Sequence, residues 1–375
     1  MEKIYTALGL MSGTSMDGID ASIIKSNGED KYEAVFDHYF EYDEEIYREL
    51  INIRDKINSP ENLRENLISL NILEKKITLF HAKICSQIIE KYRLDLDLVG
   101  FHGQTIFHSA EKKISHQLGD GNLLSNLLRK KVIYNFRKND IINGGEGAPL
   151  APIFHHLLVK QNEIRLPVCI LNIGGIANIT IVSTKDPNDL KSYDIGPGNC
   201  LLDELVRKRS KERYDKNGER AKSGKTSKII LNQVIDSFDA IKKNKIFSFD
   251  VKDFNLNFVR GLSLADGLST LVDFTASIVC ESIINENNFF KDTNLSILIC
   301  GGGRKNLSLV NAIKQKLPNN INLNLIDDYN IDGDFVESQA FAYLAIRSYL
   351  EKPISYPKTT HVEKPCLGGV LIENY

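Results

Sequence analysis

The most constraining feature of this sequence is a polar, glycine-rich turn between two apolar, β-prone runs near the N-terminus. The runs are Ile4–Leu10 and Ile19–Ile24, and the turn reads Met-Ser-Gly-Thr-Ser-Met-Asp-Gly over residues 11–18. Two such runs joined by such a turn predict a β-hairpin. A similar arrangement recurs at Val168–Val182, around Gly174 and Gly175. A hairpin of this kind in each half of the chain favours a duplicated domain.

The first turn has the chemistry of a phosphate-binding loop. Gly13 and Gly18 allow the backbone to approach a ligand closely. Successive amide groups in such a turn can form an anion-binding nest, and Thr14 and Ser15 add hydroxyl groups. The alternative is an ordinary hairpin turn, which is the simpler interpretation of one Gly-Ser-Thr segment considered alone.

Two carboxylates, Asp17 and Asp20, belong to the same stretch. Carboxylates repel phosphate unless a divalent cation lies between them, and Mg²⁺ is commonly held by one or two carboxylates together with substrate phosphates. The hypothesis is therefore a nucleotide-phosphate loop assisted by Mg²⁺. A turn from each half would then grip the phosphates from two sides.

Bulk properties narrow the class of protein. The 375 residues suggest two domains, and 42% hydrophobic with 26% charged residues is a globular composition. A net charge of −2 gives no electrostatic support for nucleic-acid or membrane-surface binding. No apolar run approaches the ~20 residues of a transmembrane helix, and no signal peptide is recognisable. We expect a cytoplasmic protein with reduced, mostly buried cysteines.

The pattern of elements indicates an α/β protein. Apolar residues at spacings of three and four predict a long helix over Asn62–Leu94, and a short buried strand follows at Asp97–Gly103. We expect an N-terminal domain over residues 1–150, completed by the tail at 351–375. A second domain would span 151–350, with a cap or insertion around 210–265. The glycine- and proline-rich segment 140–166 is the best candidate for the boundary.

Asp194 is the leading candidate for a catalytic base. It is predicted to end a strand and begins the segment Asp-Ile-Gly-Pro-Gly-Asn, so its carboxylate would be held by rigid backbone. An aspartate that accepts hydrogen bonds from turn amides explains the residue equally well.

Other polar positions carry weaker signals. Gly301–Gly303 turn a strand into a helix, where a phosphate or a flat ring could approach the backbone, although a plain turn is the alternative. Glu337 lies near a helix start, where capping alone could explain it. His102, at the predicted end of a strand, belongs to a group of histidines whose spacing fits no zinc site, so hydrogen-bonded loop histidines are the simpler interpretation.

Taken together, these motifs resemble the anhydro-N-acetylmuramic acid kinase family of the sugar kinase/Hsp70/actin superfamily. The order of the motifs is that of the family, and their combination is highly specific. The matching stretches are Met11–Asp20, His102–Thr105, Gln117–Asp120, Phe136–Arg137 with Asp140, Gly144–Pro149, Leu171–Asn178, Asp194–Asn199 and Cys300–Arg304.

The resemblance implies an α/β fold of two actin-like, ribonuclease H-like domains flanking an active-site cleft. It implies ATP-dependent opening of the 1,6-anhydro ring of 1,6-anhydro-N-acetylmuramic acid with phosphorylation of O6. The products would be N-acetylmuramic acid 6-phosphate and ADP, in peptidoglycan recycling. It further implies a homodimer that acts on a small amino sugar. The charge balance leads us to expect no nucleic-acid or membrane partner.

Site residues follow from the resemblance position by position. Asp194 would deprotonate the water that attacks the anomeric carbon, and Asp17 and Asp20 would lie near Mg²⁺. The positions that match ATP-binding residues are Gly13, Thr14, Ser15, Met16, Asp17, Gly18, Ile19, Asp20, Gly174, Gly175, Gly301, Gly302 and Gly303. The positions expected to bind the sugar are His102, Gln104, Asp120, Gly196, Asn199 and Glu337.

The chain departs from the family pattern at two positions. Asn135 stands where many members have aspartate, and Phe247 stands where many have lysine. Two other functions stay open: a kinase of a different amino sugar with the same fold, and a catalytically silent nucleotide sensor. Product analysis separates the first from the main hypothesis, and turnover dependent on Asp194 separates the second.

Overall fold

The computed structural model describes residues 3–93, 95–244, 248–290 and 295–375. Phe247, one of the two departures from the family pattern, lies outside these residues. The chain forms two compact units. Unit 1 comprises Met1–Ile164, Lys185–Leu190 and Phe335–Tyr375, and unit 2 comprises Arg165–Thr184 and Lys191–Asp334.

The described residues form β-strands and α-helices with the following bounds. The strands are β1 (Tyr5–Ser12), β2 (Gly18–Ser26), β3 (Tyr32–Glu41), β4 (Leu98–Ser109), β5 (Ile114–Leu118), β6 (Lys131–Tyr134), β7 (Val168–Ile173), β8 (Ile176–Val182), β9 (Lys191–Pro197), β10 (Ser296–Cys300), β11 (Asn322–Leu325) and β12 (Val370–Ile372). The helices are α1 (Glu44–Lys56), α2 (Pro60–Glu65), α3 (Leu67–Tyr92), α4 (Gly121–Leu128), α5 (Phe136–Ile142), α6 (Pro152–Gln161), α7 (Cys200–Arg209), α8 (Glu219–Ser223), α9 (Lys228–Asn244), α10 (Leu264–Phe289), α11 (Leu307–Lys316), α12 (Val336–Tyr349) and α13 (Pro357–Thr360).

The sheets of the two units share one topology. In unit 1 the order is β12-β6-β4-β1-β2-β3, with β5 paired to β4, and in unit 2 it is β11-β10-β7-β8-β9. In each, the first three strands form an antiparallel meander. In unit 1, β4 pairs parallel to β1 and β6 pairs parallel to β4. In unit 2, β10 pairs parallel to β7 and β11 pairs parallel to β10. This repeated arrangement is ribonuclease H-like, so the prediction of an actin-like α/β fold is confirmed.

Helix α12 packs unusually close to the sheet of unit 1. A Cβ at Gly9 of β1 would lie 2.0 Å from the Ser338 carbonyl oxygen, and a Cβ at Gly100 of β4 would lie 2.3 Å from the Phe341 carbonyl oxygen. Both glycines are therefore required for helix–sheet contact. This contact fixes the first turn of α12, which carries Glu337, against β1.

Helix α10 is the central helix of unit 2. Its 26 residues have a mean hydropathy of 1.4 over the most apolar window, so by length and composition it could cross a membrane, which corrects the expectation that no segment could. However, 72% of that window is buried in the protein. Leu268, Leu271 and Phe274 belong to the hydrophobic core of unit 2. A buried core helix accounts for this apolar sequence.

The long helix predicted over Asn62–Leu94 is wrong as a single element. The structure has α2 and then α3, separated at Asn66. The Asn66 side chain donates a hydrogen bond to the Asn62 carbonyl at 2.9 Å, while Ser59 caps α2. Local side-chain bonds of this kind compete with helix propagation.

Two predictions of where strands end are also wrong. Strand β4 does not end at Gly103 but continues to Ser109, because β5 pairs antiparallel with its second half. Asp194 does not end a strand but lies inside β9, opposite Asn178 of β8. In both cases, pairing with a neighbouring strand continues past a glycine of positive φ, Gly103 at +75° and Gly196 at +152°.

The segment after β6 differs from the prediction as well. The apolar run over 132–137 predicts a strand and the glycine content of 140–149 predicts irregular structure, but Phe136–Ile142 form α5. Asn135 precedes this helix with φ of +60°, in the left-handed region that asparagine tolerates better than most residues. Aspartate, which many family members have at this position, tolerates the same conformation, so the backbone does not explain this departure.

Candidate active site

The predicted phosphate-binding turn spans residues 13–17, between β1 and β2 in unit 1. The Met16 amide donates a hydrogen bond to the Gly13 carbonyl at 3.2 Å, and Met16 adopts φ of +59°. The Met16 and Ile19 side chains are buried in the core, whereas Thr14 and Ser15 are exposed. The turn is thus anchored by apolar side chains and offers backbone and hydroxyl groups to solvent.

Gly13 and Gly18 differ in the structural reason for which each position is a glycine. A Cβ at Gly18 would lie 2.4 Å from the Phe40 carbonyl oxygen and 2.6 Å from the Tyr39 ring, so Gly18 is needed for packing against β3. A Cβ at Gly13 would meet no described atom closer than the Ser15 hydroxyl, at 3.8 Å. Internal packing therefore does not explain Gly13, and its backbone is open to close approach by a ligand.

Gln104 supports the turn from β4. Its side chain is fully buried, and its Nε2 donates a hydrogen bond to the Gly13 carbonyl at 3.0 Å. Its Oε1 is buried without a hydrogen-bond partner among the described residues. An unpaired buried amide oxygen is costly, so a donor supplied by a bound ligand would stabilise this position.

The two carboxylates of the turn lie beside Tyr39 on β3. Asp20 is opposite Tyr39 in the β2–β3 register, and Asp17 accepts a hydrogen bond from the Ser15 hydroxyl at 2.5 Å. Burial, together with the nearby charges of Asp17, Glu41 and Asp20, raises the pKa of Tyr39, so this phenol stays protonated. Two carboxylates fit the way Mg²⁺ is held beside a phosphate. The described part of the chain has no cluster of three or more His, Cys, Asp or Glu that could hold a metal without substrate.

His102 lies on β4, two residues before Gln104, and is neutral. Arg137 Nη2 donates to His102 Nε2 at 2.9 Å, so the ring proton is on Nδ1, which donates to the Gly103 carbonyl at 2.8 Å. Burial and the Arg137 guanidinium hold the pKa of His102 well below its usual range. The ring is therefore a fixed, uncharged hydrogen-bonding group.

Arg137 connects His102 to the Gly144–Pro149 loop. Its Nη1 donates to the Gly147 carbonyl at 2.8 Å, while the Gly147 amide donates to Asp140 Oδ2 at 2.7 Å. The other Asp140 oxygen accepts bonds from the Ser355 and Thr360 hydroxyls at 2.5 and 2.6 Å. This buried hydrogen-bond network fixes the conformation of the Gly144–Pro149 loop.

Asp120 and Glu337 both lie at helix starts in unit 1. Asp120 Oδ1 accepts hydrogen bonds from the Asn122 and Leu123 amides at 2.9 and 3.0 Å and caps α4. Glu337 is half-buried in the first turn of α12. Capping thus accounts for one oxygen of Asp120, and its role toward a sugar stays a prediction, as does that of Glu337.

In unit 2, the equivalent turn at Gly174 and Gly175 is tied to the segment after β9. The Gly174 carbonyl accepts a bond from the Asn199 amide at 2.8 Å, and the Gly175 carbonyl accepts one from Gly198 at 2.9 Å. Asn199 Nδ2 also donates to the Ile173 carbonyl at 3.2 Å. A Cβ at Gly174 would have only ordinary contacts, at 3.6 Å, so this turn resembles that of Gly13 in leaving room for a ligand.

Asp194 is half-buried on β9 of unit 2. Its Oδ2 accepts a hydrogen bond from the Phe249 amide at 3.0 Å. Gly196, two residues further, has φ of +152°, and a Cβ there would lie 2.7 Å from the Phe238 ring. Gly196 is thus explained by packing, while the Asp194 carboxylate is held by a donor that sequence analysis did not identify.

The Gly301–Gly303 turn packs against the end of β7, next to Gly174. A Cβ at Gly301 would lie 2.3 Å from Asn172 Oδ1, and one at Gly303 would lie 2.2 Å from the Ile173 side chain. Gly302 alone would meet no described atom within 4 Å. The structure therefore brings the two predicted glycine turns of unit 2 together, and only Gly302 of the three glycines lacks a packing reason.

The whole chain matches one protein family. The sequence model of the family described as anhydro-N-acetylmuramic acid kinase matches residues 5–374. The anhydro-N-acetylmuramic acid kinase of Pelagibacter ubique (strain HTCC1062) is 64% identical over 375 residues, covering 100% of both chains. That of Zymomonas mobilis subsp. mobilis is 36% identical, covering 97% of this chain and 98% of the relative.

Among solved structures, the activator of 2-hydroxyisocaproyl-CoA dehydratase from Clostridium difficile, with bound ADPNP, is 12% identical. Its TM-score is 0.44, and the match covers 92% of this chain and 96% of the activator. That likeness is weak, whereas the sequence relationships are strong and extend over the full length. This chain belongs to the anhydro-N-acetylmuramic acid kinase family.

Proposed function

We propose that this chain uses ATP to convert 1,6-anhydro-N-acetylmuramic acid and water into N-acetylmuramic acid 6-phosphate and ADP. The observation that carries the proposal is the full-length relationship to kinases of this name, with 64% identity to one of them. The geometry supports it, because each unit contains a glycine turn with room for a ligand, and unit 2 holds a fixed carboxylate in Asp194.

Asp194 acts as the general base. Its carboxylate takes a proton from water as the water oxygen forms a bond to the anomeric carbon, and the bond from that carbon to O6 breaks. O6 then attacks the γ-phosphorus of ATP, and ADP leaves. A carboxylate whose position is set by the Phe249 amide suits this role, since general-base catalysis depends first on geometry.

The turn over residues 13–17 binds the ATP phosphates through its backbone amides and hydroxyls. Positioning and charge neutralisation account for most of the catalysis of phosphoryl transfer. Asp17 and Asp20 would hold Mg²⁺, which neutralises charge on the phosphates when bound. The Ser15 hydroxyl keeps the Asp17 carboxylate oriented. Gln104 holds the turn through Gly13 and has a further oxygen for a ligand donor.

In unit 1, Glu337 and the Asp120 carboxylate oxygen that does not cap α4 bind the sugar, and in unit 2 Asn199 does. His102 contributes by holding Arg137, because both of its ring nitrogens are already engaged by Arg137 and the Gly103 carbonyl. In unit 2, Gly302 gives the adenosine side of ATP access to the backbone. We further propose that the enzyme is cytoplasmic and a homodimer. Light scattering of the purified chain tests the dimer.

Product analysis tests the function directly. The purified chain is incubated with ATP, Mg²⁺ and either the anhydro sugar or a reducing amino sugar, and the products are identified by mass spectrometry. The proposal expects ADP and a sugar phosphate only in the incubation with the anhydro sugar. The mass of that product should equal the anhydro sugar plus one water and one phosphoryl group. Phosphorylation of the reducing sugar with the anhydro sugar untouched would overturn it, and binding of ATP without turnover of either sugar would indicate a sensor.

A further inference from the structure

Arg304 is the centre of a charged cluster behind the Gly301–Gly303 turn. Only 6% of its side chain is exposed. Its Nε and Nη2 donate to the two oxygens of Asp327 at 2.8 and 2.9 Å, a bidentate pair, and its Nη1 donates to Asp334 at 2.5 Å. Asp332 accepts a longer bond from Nη2 at 3.4 Å. Such planar, charge-assisted pairs hold both partners in one geometry.

The cluster is connected directly to the turn. Arg304 Nη1 also lies 3.3 Å from the Gly301 carbonyl oxygen, to which the Arg304 amide donates at 3.2 Å. The Gly301 amide donates to the Gly333 carbonyl at 3.0 Å. A Cβ at Gly333 would lie 2.5 Å from Arg304 Nε, so the guanidinium packs directly on that glycine. Residues 327–334 and the turn are therefore joined through one side chain.

The charges make this arrangement rigid. Burial alone lowers the pKa of the Arg304 guanidinium, but its bonds to Asp327 and Asp334 outweigh that effect and raise it. The same bonds overcome the effect of burial on Asp327 and Asp334 and lower their pKa. A buried guanidinium that loses its partners is strongly unfavourable, so the cluster and the turn keep one arrangement together.

We propose that Arg304 is a positioning residue for ATP: through Asp327, Asp334 and Gly333 it sets the backbone at Gly302, where the adenosine side of the nucleotide approaches. This inference rests on the proposed function, and in particular on the nucleotide-binding role of the Gly301–Gly303 turn. Lysine cannot replace Arg304, because an ammonium group cannot make the bidentate bond to Asp327 and also reach Asp334.

The test compares Arg304→Lys with Arg209→Lys, in steady-state kinetics and in calorimetric titration with ADP. Arg209 is a matched control in the same unit, since it also ties loop backbone together by donating to the Leu262 and Arg260 carbonyls at 2.5 and 2.8 Å. For Arg304→Lys we expect KM for ATP and Kd for ADP to rise about tenfold, the scale of one lost charge-assisted bond. KM for the sugar and kcat should change less than about twofold, and Arg209→Lys should leave every constant unchanged.

A second variant, Asp327→Asn, keeps the shape of the cluster and removes one charge. It should also weaken ADP binding, which keeps the inference testable if Arg304→Lys does not fold. Unchanged ADP binding in both variants would overturn the inference. A fall in kcat together with equal rises in KM for ATP and KM for the sugar would overturn it as well. If the unmodified chain binds no adenine nucleotide, it is the proposed function that fails.

Discussion

The Asp194 carboxylate accepts a hydrogen bond from the backbone amide of Phe249, 55 residues further along the chain, at 3.0 Å. The Phe249 ring packs against Phe238 and Phe254, with ring centroids 5.7 and 5.4 Å apart. The segment around 210–265, predicted as a cap or insertion, thus supplies a donor that orients the candidate base. A carboxylate fixed by an amide on a packed aromatic residue is prepared for general-base catalysis.

Replacing that carboxylate should stop the reaction without preventing nucleotide binding. Asp194→Asn keeps the acceptor for the Phe249 amide but cannot take a proton. We expect turnover to fall by about 10²–10⁴-fold, the usual contribution of a general base, with Kd for ADP unchanged. Asp236→Asn, on the exposed face of α9, is the control. Unchanged turnover in Asp194→Asn would refute the assignment.

The glycine turns allow a paired test of ligand approach against packing. Gly13→Ala and Gly302→Ala place a methyl group where no close protein atom lies, so both variants should fold with unchanged or slightly higher melting temperatures. Their Kd for ADP should rise, because the methyl group occupies the space left for the nucleotide. Calorimetric titration and thermal melting measure the two effects separately.

Gly18→Ala is the opposite case. Its methyl group would meet the Phe40 carbonyl oxygen at 2.4 Å, so we expect a loss of about 1–3 kcal/mol in the free energy of unfolding. If Gly13→Ala and Gly302→Ala bound ADP as tightly as the unmodified chain, those turns would not be nucleotide-binding.

Gln104 should contribute to nucleotide binding through the turn that it supports. Gln104→Leu removes the bond to the Gly13 carbonyl and should cost about 1 kcal/mol in stability. KM for ATP should rise several-fold. Gln117→Leu, on the neighbouring strand β5, removes bonds to Ser115 and Thr105 instead and serves as the control. Equal effects of the two substitutions on KM for ATP would contradict a role for Gln104 in the turn.

Buried histidines should make unit 1 sensitive to mild acid. Burial lowers the pKa of both His81 and His155 to about 4. Between pH 6.5 and 4 the unfolded chain binds protons that the folded chain excludes, so stability is complete above pH 6.5 and falls as the pH drops. Each histidine contributes a slope of about 1.4 kcal/mol per pH unit in this window.

His81→Phe should remove one such contribution. Urea unfolding followed by circular dichroism, repeated from pH 4.5 to 7.5, measures the slope of stability against pH. The variant should have a shallower slope than the unmodified chain, and identical slopes would show that His81 is protonated equally in the folded and unfolded states.

Local patterns predicted many elements well. The sequence predicts a strand over Tyr32–Glu41 and helices over Glu44–Lys56 and Cys200–Arg209, and β3, α1 and α7 have these bounds. Apolar periodicity and a clear cap, such as Asp43 before α1, act within a few residues and are visible in sequence. The hairpin that recurs in the two halves of the chain likewise predicts the sheet topology that the two units share.

Relationships between distant residues could not be predicted in this way. Gly13 and Gly18 have the same appearance in sequence, but only Gly18 packs against β3, and this depends on strand pairing. The bonds from Phe249 to Asp194 and from Arg304 to Asp327 likewise join segments brought together only by folding. No local sequence pattern indicates them. The predicted domain limits at 150 and 350, and the roles of the individual site residues, stay predictions.

The most direct test of the proposed reaction is isotopic. The chain is incubated with ATP, Mg²⁺ and 1,6-anhydro-N-acetylmuramic acid in ¹⁸O-water, and the sugar phosphate is analysed at once by mass spectrometry with fragmentation, before the anomeric oxygen exchanges with solvent. Attack of water at the anomeric carbon predicts one ¹⁸O atom, at the anomeric position, and none in the phosphate. A product without label at the anomeric carbon, or with the label on O6, would contradict the account.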